Sequence, residues 1–169
     1  MTEDMLSTPH YATWQDLPAQ CSQVLMITEH GIVRDQTHIA AQTPVQHLEA
    51  PFNAHDPHWI ATLKWHLVQA KAGLHVVVYG REPFLWHIFK QVSAYGLLEE
   101  EISLILSAED TLTPVYCVHC GHQFVSTQSD FSPCPSCEVH LLIRRHFSQR
   151  LGAYMGVCAN ALAPKGGVA

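Results

Sequence analysis

The sequence predicts an α/β fold with a small parallel sheet, followed by a compact module organised by cysteines. Three observations carry this reading. Residues 74–79 (LHVVVY) are apolar and β-branched on both faces, as a central parallel strand must be. Helix start and stop signals flank that strand, with Asp56-Pro57 before it, Gly73 between, and Pro83 and Gly96 after it. Four of the six cysteines stand as two Cys-x-x-Cys pairs, Cys117 with Cys120 and Cys134 with Cys137.

Each element follows in chain order. Residues 1–20 have little periodicity and read as a lead-in. Residues 24–28 (VLMIT) form a short apolar run closed by Gly31 and predict a buried strand. Residues 36–52 mix Thr, Val and Ile with Gln, His and Pro, which suggests one or two edge strands. Asp56 caps a helix whose buried stripe is Ile60, Leu63, Leu67 and Ala70, ending at Gly73. After the strand at 74–79, Gly80 turns the chain. Pro83 opens a second helix, and Leu85, Ile88, Phe89 and Val92 make its apolar stripe. Residues 102–106 (ISLIL) are another buried strand, so strand, helix and strand form a βαβ unit. The expected division is a lead-in at 1–20, an α/β domain at 21–112, a metal ribbon at 113–147 and a docking tail at 148–169.

Composition narrows the function. Hydrophobic residues are 47% and charged residues 14% of the 169 positions, a globular balance. No stretch approaches the roughly 18 consecutive apolar residues of a membrane span. The first 18 positions hold Glu3, Asp4 and Asp16 with no Lys or Arg, against the basic start of a secretory signal, so the expected location is cytoplasmic. A net charge of −6 argues against general nucleic-acid binding, where basic surface supplies most of the affinity.

In a reducing compartment the paired cysteines read as a metal site and not as disulfides. Two residues between cysteines let both thiolates of a tight turn face one ion, and two such knuckles complete a tetrahedron. Gly121 follows the first knuckle, where the chain needs a positive φ, and Pro135 stiffens the second. The segment from about 113 to 147 is too small to hold itself by burial alone, since domains below about 40 residues usually need a metal or disulfide, and a structural zinc contributes on the order of 10–16 kcal/mol. Four thiolates close the coordination sphere, leaving no position for a hydrolytic water. Zinc is the expected metal and iron the alternative, because tetrahedral sulfur suits both. His119 and His122 lie beside the first knuckle but are not needed as ligands. Cys21 and Cys158 stand alone and are expected to be buried thiols.

Two resemblances follow from longer stretches. Residues 74–106, LHVVVYGREPFLWHIFKQVSAYGLLEEEISLIL, look like the last strand–helix–strand of the nicotinamide domain in ferredoxin-reductase-type flavoproteins. That family usually has Cys before the Gly of the turn, where Tyr79 stands here. Its Gly-rich phosphate turn after the first strand is absent, Gly31 standing alone, so the backbone cradle for a pyrophosphate is missing. More closely, HWIATLKWHLVQAKAG, YGREPFLWHIF, YCVHCG…CPSC and RRHFSQRLGAYMGV, in that order across residues 57–157, resemble the A-type subunit family of dimethylamine monooxygenase. The resemblance implies one component of a multi-subunit monooxygenase that uses reduced nicotinamide and oxygen to demethylate dimethylamine. It also implies haem and flavin carried by other subunits, a haem oxygenase and a flavin reductase component.

The chain has no P-loop, no His-Glu-x-x-His and no Ser-His-Asp order that would give it an active site of its own. Among its 13 histidines, His55 with His58 or His58 with His66 would be the pairs for a second metal, but each reads first as a surface or packing residue. Arg144, Arg145, His146, Phe147, Arg150, Tyr154 and Met155 combine basic and large apolar side chains after the ribbon, as interface cores do. They are expected to dock a partner subunit, with packing against the α/β domain as the alternative. The expectation is therefore a zinc-binding, non-catalytic accessory subunit. A rubredoxin-type electron carrier and an unrelated zinc-ribbon adaptor are the other readings.

Overall fold

The computed structural model describes residues 7–18, 21–32, 43–108 and 111–160. These fall into two compact units, one of residues 10–110 and one joining residues 7–9 to 111–160.

The first unit holds a four-stranded, wholly parallel sheet. Its strands are β1 (Gln23–Thr28), β2 (Val45–Glu49), β3 (Leu74–Gly80) and β4 (Ile102–Leu106), in the order β2-β1-β3-β4. Two helices complete it, α1 (Pro57–Val68) and α2 (Glu82–Ser93). As the apolar run predicts, β3 is central and buried, with Val76, Val77 and Val78 fully enclosed. Helix α1 begins where Asp56 accepts hydrogen bonds from the backbone N–H groups of His58 (2.8 Å) and Trp59 (3.1 Å). It ends at Val68, short of Gly73, and it buries Trp59, Leu63 and Leu67, with Ile60 half-buried. Residues 36–42 lie outside the described residues, and β2 is the single strand described in the expected edge region.

The lead-in does more than expected. The Ala12 amide donates to the Leu104 carbonyl on β4 (2.8 Å). Ala12, Trp14, Leu17 and Cys21 then pack over Val24, Met26, Val77 and Ile105, and Trp14 lies 5.3 Å from the Tyr79 ring. One face of the sheet is thus covered by an irregular segment whose apolar residues have no helical or strand period to announce them.

The second unit is a five-stranded sheet of β5 (Thr113–Cys117), β6 (Gln123–Ser126), β7 (Phe131–Pro133), β8 (His140–Ser148) and β9 (Ala153–Cys158), ordered β6-β5-β9-β8-β7. Residues 153–158 are accordingly not a tail. Strand β9 runs parallel to β5 and antiparallel to β8, between the two hairpins. Gly156 makes this possible, since a Cβ there would stand 2.9 Å from both Leu141 and Val115, too close for real side chains. Residues 161–169 lie outside the described residues.

Candidate metal centre

Each knuckle occupies a hairpin end, the first between β5 and β6 and the second between β7 and β8. The two are built alike. Cys117 N–H donates to the His122 carbonyl (2.9 Å), and Gly121 N–H donates to the Cys117 carbonyl (2.8 Å). In the second, Cys134 N–H donates to the Val139 carbonyl (3.0 Å), and Glu138 N–H donates to the Cys134 carbonyl (2.9 Å). Gly121 (φ 76°) and Glu138 (φ 61°) both turn the chain through the left-handed region. The spacing shows why, for each follows the first cysteine of its knuckle by four residues.

The hairpins bring the four sulfurs together within 4.8 Å of one another. Cys117 Sγ lies 3.8 Å from Cys137 Sγ, and Cys120 Sγ lies 3.6 Å from Cys134 Sγ. A tetrahedron with metal–sulfur bonds of about 2.3 Å has sulfur–sulfur edges of about 3.8 Å, so the arrangement fits a tetrathiolate ion. The separations are far beyond a disulfide bond of about 2.05 Å, and all six cysteines of the chain are free thiols. Among the described residues, these four cysteines alone form a group of three or more candidate ligands. His119 and His122 are exposed and stand outside it, with the His122 ring stacked on Phe124 at 6.2 Å.

Cys117 and Cys134 are buried in the core of this unit with Val115, Leu141 and Ile143. Burial raises the Cys117 thiol, while the amides of Cys120 and His119 work against that rise. Burial also opposes ionisation of Cys134, yet the amides of Cys137 and Ser136, with the neighbouring sulfurs, hold it down at about 7. At Cys137 the Val139 amide favours the thiolate, but burial and the other thiols push it up to about 12. At Cys117 and Cys137 the thiolate is disfavoured unless a cation offsets its charge, whereas Cys134 is poised to ionise. Any bound ion would be held by Cys117, Cys120, Cys134 and Cys137, and would supply structural cross-linking or, if iron, single-electron transfer.

The other predicted residues fall as follows. Phe147 is in the interior, 4% exposed, and pairs with Tyr154 on β9 at 4.9 Å between ring centres. Tyr154 and Met155 are half-buried within the same sheet, whereas Arg144, Arg145, His146 and Arg150 are exposed. The expected surface thus divides into a packed apolar part and a solvated basic part. Cys158 is exposed at the end of β9, and Cys21 is half-buried, where both were expected to be buried. Neither His55 with His58 nor His58 with His66 belongs to a group of candidate metal ligands among the described residues, and His55 has another neighbour. Its ring lies 3.9 Å from that of His87, whose Nε2 bonds the Ala54 carbonyl at 3.1 Å.

Sequence reasoning missed one polar contact altogether. In an open α/β sheet ligands bind beyond the carboxyl ends of the strands where strand order reverses, here between β1 and β3. Glu29, just after β1, fills that place. Its carboxylate accepts from the Arg81 backbone N–H (2.7 Å) at the start of α2 and from Arg81 Nε (2.9 Å), and it also pairs with the Arg81 terminal nitrogen. No local signal marks Glu29, because its partner lies 52 residues away. A cavity of about 240 Å³, lined by Gln23, Val45, His66 and Leu74 among others, lies at the amino ends of β1, β2 and β3.

The chain is thus a two-unit protein, a parallel α/β sheet with a cysteine knuckle module whose four sulfurs have a spacing compatible with one metal ion. Comparison with known proteins places it further. The dimethylamine monooxygenase subunit DmmA-like C-terminal domain matches residues 114–157. The chain is 37% identical over 170 residues to the heme-dependent oxidative N-demethylase delta subunit of Ectopseudomonas mendocina (strain ymp), covering 99% of this chain and 96% of that protein. It belongs to this DmmA-like family of oxidative N-demethylase delta subunits. No solved structure matches it.

Proposed function

We propose that this chain is a non-catalytic accessory subunit of an oxidative N-demethylase, a dimethylamine monooxygenase, held in its folded form by zinc. The observation that carries the reading is the near full-length similarity to a delta subunit of such an enzyme. The closed four-sulfur geometry supports a structural role for the metal, since no coordination position is left for substrate. Haem and flavin sit on partner subunits, an oxygenase and a reductase component, and the complex works in the cytoplasm, where thiols stay reduced. The α/β unit is a relative of the ferredoxin-reductase nicotinamide domain that has given up its cofactor. The Glu29 carboxylate holds the helix N-terminus that a phosphate would need.

A second reading is favoured by the sulfur separations, which suit iron as well as zinc and would make the module an electron carrier. Metal analysis and visible absorption of protein purified from its native host decide between the two. Stoichiometric zinc in colourless protein supports the structural role, and a red ferric chromophore overturns it. For the complex itself, deleting the chain from cells that carry the other subunits should abolish demethylation of dimethylamine. Full turnover without it would sink its place in the complex.

A further inference from the structure

The β8–β9 hairpin carries a basic feature that the metal centre does not use. Along β8 burial alternates until Ile143. Then Arg144, Arg145 and His146 are exposed in succession, and Phe147 is buried again. The pairing with β9 shifts register between Ile143 and Phe147, so a bulge turns three consecutive side chains outward. Arg150 follows in the turn that joins β8 to β9.

Both parts of the hairpin are fixed. Ser7 accepts from the Phe147 N–H at 2.8 Å and donates through Oγ to the Phe147 carbonyl at 3.1 Å, which pins the bulge. The turn is closed by Gly152 N–H to the Ser148 carbonyl (2.7 Å) and by Gln123 Nε2 to the Leu151 carbonyl (2.9 Å). Arg144, Arg145 and Arg150 have no ion-pair partner among the described residues, whereas Arg81 is engaged by Glu29.

The chemistry is also selective. Residues 111–160 contain three arginines and no lysine, while residues 10–110 carry eleven Asp and Glu against five Lys and Arg. Guanidinium groups suit two-pronged recognition of carboxylates, which an ammonium group cannot give. Three arginines are too few for nucleic-acid affinity, which rests on many neutralised phosphates. The backbone that carries these side chains is held by those hydrogen bonds, so it loses little freedom of its own on binding.

We infer that the β8–β9 hairpin is an arginine clamp for a carboxylate-rich segment of a partner subunit. This rests on the reading of the chain as a subunit of an N-demethylase complex. The test co-expresses the full chain with the other subunits and compares wild type with R144E/R145E/R150E, R144Q/R145Q/R150Q and R144K/R145K/R150K. Melting temperature and metal content report folding; the neutral glutamine variant serves if charge reversal lowers either. The clamp predicts that affinity for the complex falls by about tenfold or more in the Glu and Gln variants. It predicts a smaller but measurable loss with Lys, where charge stays and the planar fork is gone. Wild-type association by the folded Glu and Gln variants overturns the clamp alone. A Lys variant equal to wild type overturns its carboxylate geometry. A wild-type chain that never joins the complex overturns the clamp and the subunit reading together. Tight, arginine-dependent binding of a single-stranded RNA oligomer would assign the hairpin to nucleic acid instead.

Discussion

Gly121 and Glu138 occupy the same position in two copies of one turn. Each donates its amide to the carbonyl of the knuckle's first cysteine, and each has a positive φ. Only one of them is glycine. The left-handed region costs a residue with a Cβ about 1–2 kcal/mol, so the second knuckle is the strained one.

Exchanging the two residue types should therefore have opposite effects. Gly121→Ala is expected to destabilise the knuckle unit by about 1 kcal/mol, and Glu138→Gly to stabilise it by up to about 1 kcal/mol. A Cβ at Gly121 would meet only the Tyr116 hydroxyl, at 3.5 Å, so the cost is backbone strain and not crowding. Chelator-dependent unfolding of the two variants measures both shifts. Equal stability in all three proteins would show that the positive φ is not strained here.

Loss of one ligand should unfold one unit and spare the other. Cys134 is 1% exposed and belongs to both the thiolate set and the core. Cys134→Ser leaves three thiolates and an open, labile site. Metal content should fall from one ion per chain toward zero, with loss of hydrogen-exchange protection across residues 111–160. Protection in β1, β3 and β4 should persist. Full metal occupancy in the variant would remove the basis of the assignment.

Acid should weaken the α/β unit through two histidines. Burial lowers the pKa of His75, which bonds Ser103 at 2.9 Å, against the opposing pull of Glu101. Burial and the neighbouring His55 lower that of His87. A histidine whose folded pKa lies below the unfolded value of about 6.5 leaves the folded state fully stable above that pH. Below it the unfolded chain binds more protons, so stability falls with pH. The melting temperature of the α/β unit should drop as pH falls below about 6.5, and His75→Gln with His87→Gln should flatten the slope. An unchanged slope in the double variant would place the acid sensitivity elsewhere.

Reduced nicotinamide cofactors should not bind the isolated chain. Glu29 already uses the Arg81 amide at the start of α2, and its negative charge repels a phosphate from the same place. Trp14 packs at a tilt against Tyr79 at the end of β3. Calorimetry with NADH and NADPH should show no heat of binding in the micromolar range. Micromolar affinity without flavin would mean that the Glu29 contact opens for ligand.

The sequence by itself determined the elements that rest on local chemistry. Two Cys-x-x-Cys pairs mark the four sulfurs that meet, because the turn between two thiols is set by two residues of chain. The run at 74–79 declares a buried central strand, since only such a strand is apolar on both faces. The left-handed turn at Glu138 was not read from the sequence, although Glu138 stands four residues after Cys134 as Gly121 does after Cys117. What only the tertiary structure decided depends on pairings across long stretches of chain. The place of β9 between two hairpins turns residues 153–158 from a tail into the middle of a sheet and sends Phe147 inward. The pairing of His55 with His87 and of Glu29 with Arg81 joins residues 32 and 52 positions apart. Hydrophobic period reports which face of an element is buried, but not which distant element covers it. The bulge that exposes Arg144, Arg145 and His146 together is likewise a product of register between strands.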